Sequence, residues 1–593
     1  MAPQGPMTPW QLIRTALSRV LPKSWWVGPA VFGLAAAGFF LSLVPPLLLR
    51  QLVDNHLTAG IAAGIWRLAA FYLLAYLAAS IVGFVQSYLT TLIGQQLLLE
   101  FRSMLSRHLA RLPMAYYSRT PAGDIISRVT SDVDAVSNLF SSGLLSAFTD
   151  FFRIGGVLVG MYIVSPRLFL LSLAVIPLIY LATDWFRRHM FAAEMRIRRS
   201  VSQLNSFIQE TFNGLRLIKA FGYETLYDDH FQQPLADNVT VSNRAAFYVA
   251  AFPCVMQFLR AGVIAVVIWA GARTSVTDAL AVSIGGLAAM VDLLGRLLDP
   301  VEAVANEVQV LQQAFAGLTR LAELMSQAPE DRGPVTQLTE YPGWQTEREA
   351  VTLTGVTYAY TDDAQVIRGV SLSVRRGSKV ALIGRTGAGK TTLMNLVAGL
   401  FSPWSGSIKV CGMNPHNLDP AQRRKLIGVV PQTPAVLEGT VLENITLRDE
   451  TISEAQAVAA CELIGLHDHL LDLPEGYQTM LGAGAMELSH GQRQLLSIAR
   501  AVVCDPPVLL LDEPTSGMDT LTEQRVFEAL RAASEQRTIV TISHRVSGII
   551  DAETVCVLSG GRVVQEGSPQ QLVGERGWYA MFRQLEDLGW QVQ

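Results

Sequence analysis

The chain has 593 residues, 50% of them hydrophobic and 16% charged, with a mean hydropathy of +0.31; this is too apolar and too charge-poor for an ordinary soluble enzyme and points to a membrane protein. A net charge of −4 excludes a nucleic-acid binder held by a general positive field. Five scattered cysteines, Cys254, Cys411, Cys461, Cys504 and Cys556, show no C-x-x-C spacing, so they read as reduced structural thiols rather than zinc or dithiol chemistry.

Up to Lys23 there is no secretory signal pattern. Trp10, Leu12, Ile13, Leu17 and Val20 instead recur at helical spacing, with Arg14 and Arg19 interspersed, which predicts an amphipathic helix along the membrane surface. Residues 24–49 and 68–99 hold no charge, and each exceeds the roughly 20 residues that cross a bilayer. Four further apolar stretches are interrupted: 135–163 by Asp150 and Arg153, 168–186 by Asp184, 245–272 by Arg260, and 279–301 by Asp292, Arg296 and Asp299. Six spans are expected.

The 51–66 connection has no Lys or Arg, whereas 102–128 carries Arg102, Arg107, Arg111, Arg119 and Arg128. By the positive-inside rule the second lies in the cytoplasm, with both termini and the 187–244 connection. Both long connections keep helical periodicity, so the membrane helices are expected to run on into the cytosol. After the last span, Val308, Leu311, Phe315, Leu318, Leu321 and Leu324 keep one apolar face. Residues 326–349 then turn polar and proline-bearing, and from Ala350 β-rich runs alternate with helical ones.

Gly384-Arg385-Thr386-Gly387-Ala388-Gly389-Lys390-Thr391 fits the phosphate-binding loop G-x-x-x-x-G-K-[ST], followed by Thr392. An apolar strand leads in and a helix leads out, so main-chain N–H groups can cradle phosphates. Lys390 would reach the β- and γ-phosphates of ATP, and Thr391 would ligate Mg²⁺. Val508 to Leu511 followed by Asp512 and Glu513 reads as a buried strand ending in two carboxylates, one near the metal and one near the attacking water.

With these motifs the chain resembles an ATP-binding cassette (ABC) half-transporter of the exporter fold over nearly its whole length. That resemblance implies a six-helix transmembrane domain followed by an α/β P-loop ATPase domain of the ABC type. The domains would be 1–325 with two cytoplasmic coupling loops, a 326–349 linker, and 350–593. It also implies further roles. Tyr360 matches the aromatic that stacks on adenine. Gln432 matches the glutamine that senses Mg²⁺ and contacts the membrane domain, making Thr391, Gln432 and Asp512 the metal set. Ser489, His490, Gly491 and Gln492 fall in the signature that contacts ATP bound by the opposite subunit, and Asp519 in the loop crossing between the two sites. His544 matches the γ-phosphate histidine, so the catalytic set is Glu513, His544, Gln432 and Lys390. Pro113 to Arg128 and Glu210 to Glu224 resemble the two coupling segments.

Two departures from the family pattern stand out: His490 replaces the first glycine of the usual L-S-G-G-Q, and Ala483 replaces a glutamate just upstream. An intact catalytic set beside an altered signature resembles one half of an asymmetric heterodimer, preferred over a homodimer tolerating His490. The implied function is ATP-driven export of amphipathic small molecules, drugs or lipids. The protein would be multi-pass in a bacterial inner (plasma) membrane, with lipid and a second half-transporter as partners and no nucleic acid. An importer of a siderophore-like ligand and a homodimeric lipid flippase remain as alternatives. Of the intramembrane charges, Asp292 and Arg296 can pair within one helix, as can Asp150 and Arg153. Arg260 must pair across helices or line a substrate cavity. Asn238 and Asn444 fit the glycosylation pattern but fall on cytoplasmic segments.

Overall fold

A computed structural model of the chain describes residues 7–58, 64–166, 169–170, 176–272, 283–330, 337–338, 342–361, 364–482, 484, 486–516, 518–543 and 552–587. His544, Ala483 and the side chain of Asp299 lie outside what is described. The chain divides into two compact units, Met1–Ala110 with Ala122–Gln327, and Arg111–Pro121 with Ala328–Gln593.

The first unit is helical. Helix α1 (Pro9–Ser24) starts at a capping box in which Thr8 and Gln11 bond each other's main chain, with Pro9 at the first position. Its Leu12, Ile13, Ala16 and Val20 are buried, with α3 and α11 as its neighbours. The stripe expected to meet lipid is thus covered by protein. Trp10 stays largely exposed and meets Phe315 edge-on at 6.1 Å.

The long helices are α2 (Val27–Leu52), α3 (Ile65–Leu109), α7 (Leu144–Val164), α8 (Ile176–Asn213), α10 (Glu224–Ala272) and α11 (Ile284–Met325). Between them lie α4 (Met114–Arg119), which belongs to the second unit, α5 (Ala122–Ser127), α6 (Val133–Asn138) and α9 (Leu215–Phe221). Each of the six long helices overlaps one of the six predicted spans. Among the described residues three segments, Val27–Leu57, Ile65–Leu109 and Glu224–Trp269, are long and apolar enough by composition to cross a membrane. Helices α3, α8, α10 and α11 have 45, 38, 49 and 42 residues. At about 1.5 Å per residue they exceed the ~30 Å hydrocarbon core by a wide margin.

Small residues let these helices approach. A Cβ on Gly160 of α7 would fall 2.8 Å from Leu43 Cδ2 of α2, the close backbone contact that membrane helices use in place of a hydrophobic driving force. Val157, Met161, Val263, Val267, Met290 and Leu293 form a buried cluster of α7, α10 and α11.

The second unit is an α/β domain. Strands β3 (Lys379–Ile383), β5 (Ile427–Val430), β8 (Val508–Asp512), β9 (Thr538–Ile542), β10 (Thr554–Ser559) and β11 (Arg562–Gly567) form one sheet in the order β11-β10-β3-β9-β8-β5. It is parallel except for the β10–β11 hairpin. Strands β8 and β9 are near-continuous apolar runs, as burial on both faces requires. A second, antiparallel sheet has the order β2-β1-β4, from β1 (Glu349–Ala359), β2 (Gln365–Arg375) and β4 (Ser405–Val410). The helices that matter here are α12 (Lys390–Val397), α14 (Val441–Thr446), α17 (His490–Val502), α18 (Thr520–Ser534) and α20 (Trp578–Asp587). Two cores result: one joins the antiparallel sheet to β3 and α12, the other packs α17 and α18 against β5 and β8. Ala115 of α4 rests on the first, and the Glu330 N–H donates to the Arg111 carbonyl at 2.7 Å.

In the first unit, buried Asp132 receives two hydrogen bonds from Arg320 of α11, from Nε at 2.9 Å and from Nη2. Arg320→Ala leaves that carboxylate unpaired, at a cost of about 1–3 kcal/mol. Its detergent-solubilised Tm should drop, and Arg320→Gln should drop less; equal Tm values for Arg320→Ala and the unaltered protein would contradict this.

Candidate nucleotide-binding site

Strand β3 ends at Ile383, and the loop to α12 turns at once. A Cβ on Gly384 would meet the Leu558 carbonyl oxygen of β10 at 2.2 Å, so only glycine passes there. Gly389, with φ +102°, forms the N-cap of α12 in a conformation that disfavours a side chain. The Ala388 N–H bonds back to the Arg385 carbonyl at 3.0 Å. The result is a tight loop opening onto a helix N-terminus, which binds anions.

Lys390 is buried, and its Nζ donates to the carbonyls of Gly384 at 2.7 Å and Arg385 at 3.1 Å. Burial lowers its pKa, while the nearby Glu513 and Asp512 carboxylates pull it back up. Thr391 is exposed whereas Thr392 is buried, its hydroxyl 3.1 Å from the Tyr360 hydroxyl. Tyr360 in turn sits edge-on to Tyr358 and Phe401, with centroids 5.2 and 5.6 Å away. Arg385 turns elsewhere, its guanidinium 5.6 Å from the centre of the Trp578 ring on α20. Of this residue only the main chain faces the loop's ammonium. Neither Phe401 nor Trp578 carries a motif, so the sequence reading missed both.

Because β9 lies between β3 and β8, the carboxylates ending β8 come out beside the phosphate loop, at the C-terminal edge where open α/β sheets bind ligands. Glu513 Oε2 accepts from Gln432 Nε2 at 2.8 Å; Gln432 follows β5, which pairs directly with β8. Glu513 has φ +47°, a left-handed conformation uncommon outside glycine. Partial burial raises its pKa, and Lys390 and the Gln432 donor offset part of that rise.

The signature residues form the start of α17. Ser489 accepts from the Gln492 N–H at 3.2 Å, and the Gln492 side chain accepts from the Ser489 N–H at 2.9 Å. This is a capping box, legible as S-x-x-Q. His490 Nε2 lies 3.3 Å from the Ser516 carbonyl, and a Cβ on Gly491 would meet Thr522 of α18 at 2.3 Å. Asp519 caps α18, accepting from Thr522 N at 3.0 Å; the Thr522 side chain first, and its main-chain N–H second, lower the Asp519 pKa. Inside α17, Gln494 is fully buried and reaches the Pro431 carbonyl at 3.4 Å, a tie from signature helix to Gln432 that no motif announced.

In the first unit, Asp292 and Arg296 pair at 3.0 Å within α11, and Arg296 lies 5.8 Å from the Tyr76 ring centre. The Arg260 guanidinium crosses to the same helix: a Cβ on Gly295 would fall 2.5 Å from its Nη2. Asp150 and Arg153 both lie on α7 and interact through their charges, as expected, and Glu307 of α11 is a further carboxyl beside Asp150. Asn444 is buried, its amide nitrogen donating to the Leu437 and Thr440 carbonyls, and it cannot carry a glycan.

Phosphate loop, paired carboxylates and sheet order define a P-loop ATPase, fused to a bundle of membrane-length helices. Comparison with known proteins makes this specific. Residues 30–301 match the ABC transporter transmembrane region and residues 367–516 match the ABC transporter family model. The chain is 30% identical to a fatty acid ABC transporter ATP-binding/permease protein of Mycobacterium bovis, over 87% of this chain and 81% of that protein. It is 29% identical to an ATP-dependent lipid A-core flippase of Dechloromonas aromatica, over 98% of each. In fold it resembles a bacterial Atm1-family ABC exporter solved with ATP bound, with TM-score 0.74 and 23% identity over 96% of this chain and 99% of that one. The chain belongs to the ABC transporters. Its transmembrane region and ATP-binding domain are fused in one polypeptide, and it is an integral membrane ATPase coupled to transport.

Mg²⁺ fits the residues present. Thr391, Gln432 and Asp512 offer a hydroxyl, an amide oxygen and a carboxylate, the hard oxygen donors that hold Mg²⁺ together with substrate phosphates. The Gln432 amide nitrogen is spent on Glu513, leaving its oxygen for the ion. The bound ion would neutralise charge on the phosphoryl oxygens.

With Glu513 as the base, kcat/KM for MgATP should fall on the acid side at a pH above the ordinary glutamate value of about 4.3, because burial raises this carboxyl and the ionised form is the active one. A rate profile flat down to that value would contradict it.

Proposed function

We propose that this protein couples ATP hydrolysis to export of amphipathic small molecules, drugs or lipids across a bacterial plasma membrane, as one half of a dimer. Both termini and the ATPase domain face the cytoplasm. The observation that carries the reading is the convergence of buried Lys390, the Asp512 and Glu513 carboxylates and Gln432 at one sheet edge. Lys390 meets the β- and γ-phosphates, Tyr360 packs against adenine, and Gly384 to Thr392 cradle the phosphates. Glu513 orients or deprotonates the attacking water, and Gln432 with His544 orients the γ-phosphate. Ser489 to Gln492 complete the ATP site of the opposite subunit, and Asp519 lies on the crossing loop. Closure of two such domains around ATP switches the cavity from inward- to outward-facing.

The names of the relatives favour an amphipathic, lipid-like substrate: one specifies fatty acid, the other lipid A-core. Exposed Leu217, Phe221 and Tyr223 on and after α9 supply apolar anchors for a coupling contact. Arg260, Asp292 and Arg296 are the candidate charges of the substrate cavity, Asp292 and Arg296 being paired with each other within α11. The intact cis set beside His490 and Ala483 favours a heterodimer, whose partner carries the usual signature and a weakened catalytic set.

Glu513→Gln should bind ATP and hydrolyse it about a hundredfold or more slowly; near-normal turnover would assign the base elsewhere. Purified alone, the chain should show little transport-coupled ATPase, and a stable, brisk homodimer would overturn the heterodimer. Arg260→Ala should abolish substrate stimulation of the ATPase with Tm unchanged; the reverse result would make Arg260 structural.

A further inference from the structure

We infer that His490 is a positioning residue for hydrolysis at this chain's own ATP site, acting through the turn that follows Glu513. It stands where the family pattern has glycine, and only a side chain can make the contact seen here. Its Nε2 lies 3.3 Å from the Ser516 carbonyl oxygen. A carbonyl only accepts, so Nε2 carries the proton, in the neutral tautomer or the imidazolium.

Ser516 is no remote anchor. Its N–H donates to the Glu513 carbonyl at 3.2 Å, closing a tight turn on the residue that orients water. Glu513 itself holds φ +47°, and the Glu513 N–H bonds to the Ile542 carbonyl of β9 at 3.2 Å. Such a conformation persists where its surroundings impose it. The β9 bond fixes one side of the turn and His490 fixes the other. The first turn of α17 holds the far end of the same loop as well: Gly491 packs on Thr522, whose N–H is bound by Asp519. His490 therefore ties the segment that reads the opposite ATP to the glutamate that works on its own.

This rests on Glu513 acting as proposed above. The test uses the native dimer in lipid nanodiscs, with ATP kinetics, ATP binding and thermal unfolding recorded for each variant. His490→Ala and His490→Gly should lower kcat about tenfold while KM for ATP changes little. His490→Gln, whose amide nitrogen reaches the same carbonyl, should recover most of that loss. Placed on Glu513→Gln, His490→Ala should add no further loss. A defect confined to KM, a Gln variant no better than Ala, or an additive loss in the double variant would each overturn the inference. If Glu513→Gln alone turns over normally, the base assignment has failed; if Glu513→Gln is slow but His490→Ala is not, positioning by His490 has failed. Should the Ala and Gly variants not fold, His490→Asn, too short to reach the carbonyl, takes their place with the same outcomes.

Discussion

The buried ammonium of Lys390 is the constraint on which the ATPase unit depends. A charge cannot stay buried without compensation, and here two loop carbonyls and two strand-end carboxylates supply it. Carbonyls of Gly384 and Arg385 can curl over the ammonium only because Gly384 passes beneath the Leu558 carbonyl without a side chain. The carboxylates arrive beside it only because β9 alone separates β3 from β8 in a parallel sheet. In the proposed role the phosphates of ATP would offer Lys390 stronger partners than neutral carbonyls do.

Around that centre the polar side chains act as struts. Gln432 donates to Glu513, and Gln494 reaches the carbonyl of Pro431 next to Gln432. Arg500 lies on the same helix as Gln494, and its Nε donates to the Asn444 carbonyl at 2.5 Å. Asn444 holds the Leu437 N–H and carbonyl. The signature helix is thus bonded to the segment after β5 at two levels, and its capped start is bonded to the turn after β8. Buried polar networks of this kind rigidify when satisfied, and the Gln494 Oε1 has no partner among the described residues.

The membrane unit follows a different logic. With no water to drive apolar surfaces together, close packing at small residues and half-buried polar pairs do the work. Gly160 admits Leu43, Asp292 pairs with Arg296, and Asp54 accepts from Ser283 Oγ and Gly285 N at the start of α11. Two of these were unreadable in the sequence, because residues 54 and 283 or 43 and 160 are distant along the chain. The approach of Glu307 to Asp150 was unreadable for the same reason, whereas Arg153, one turn away on the same helix, was legible from spacing.

Local features were legible in the residues themselves. Charge-free runs marked α2 and α3, the G-x-x-x-x-G-K-T run marked the turn into α12, and S-x-x-Q marked the start of α17, since capping, turn geometry and hydropathy depend on residues within a few positions of each other. The packed fold had to supply the neighbours of α1, which are α3 and α11, and the turn of Arg385 to Trp578. It alone placed Thr392 under Tyr360 and set His490 against the Ser516 carbonyl. Each of these is a contact between chain segments whose meeting depends on sheet order and helix packing, and neither residue type nor spacing encodes which partner will be there.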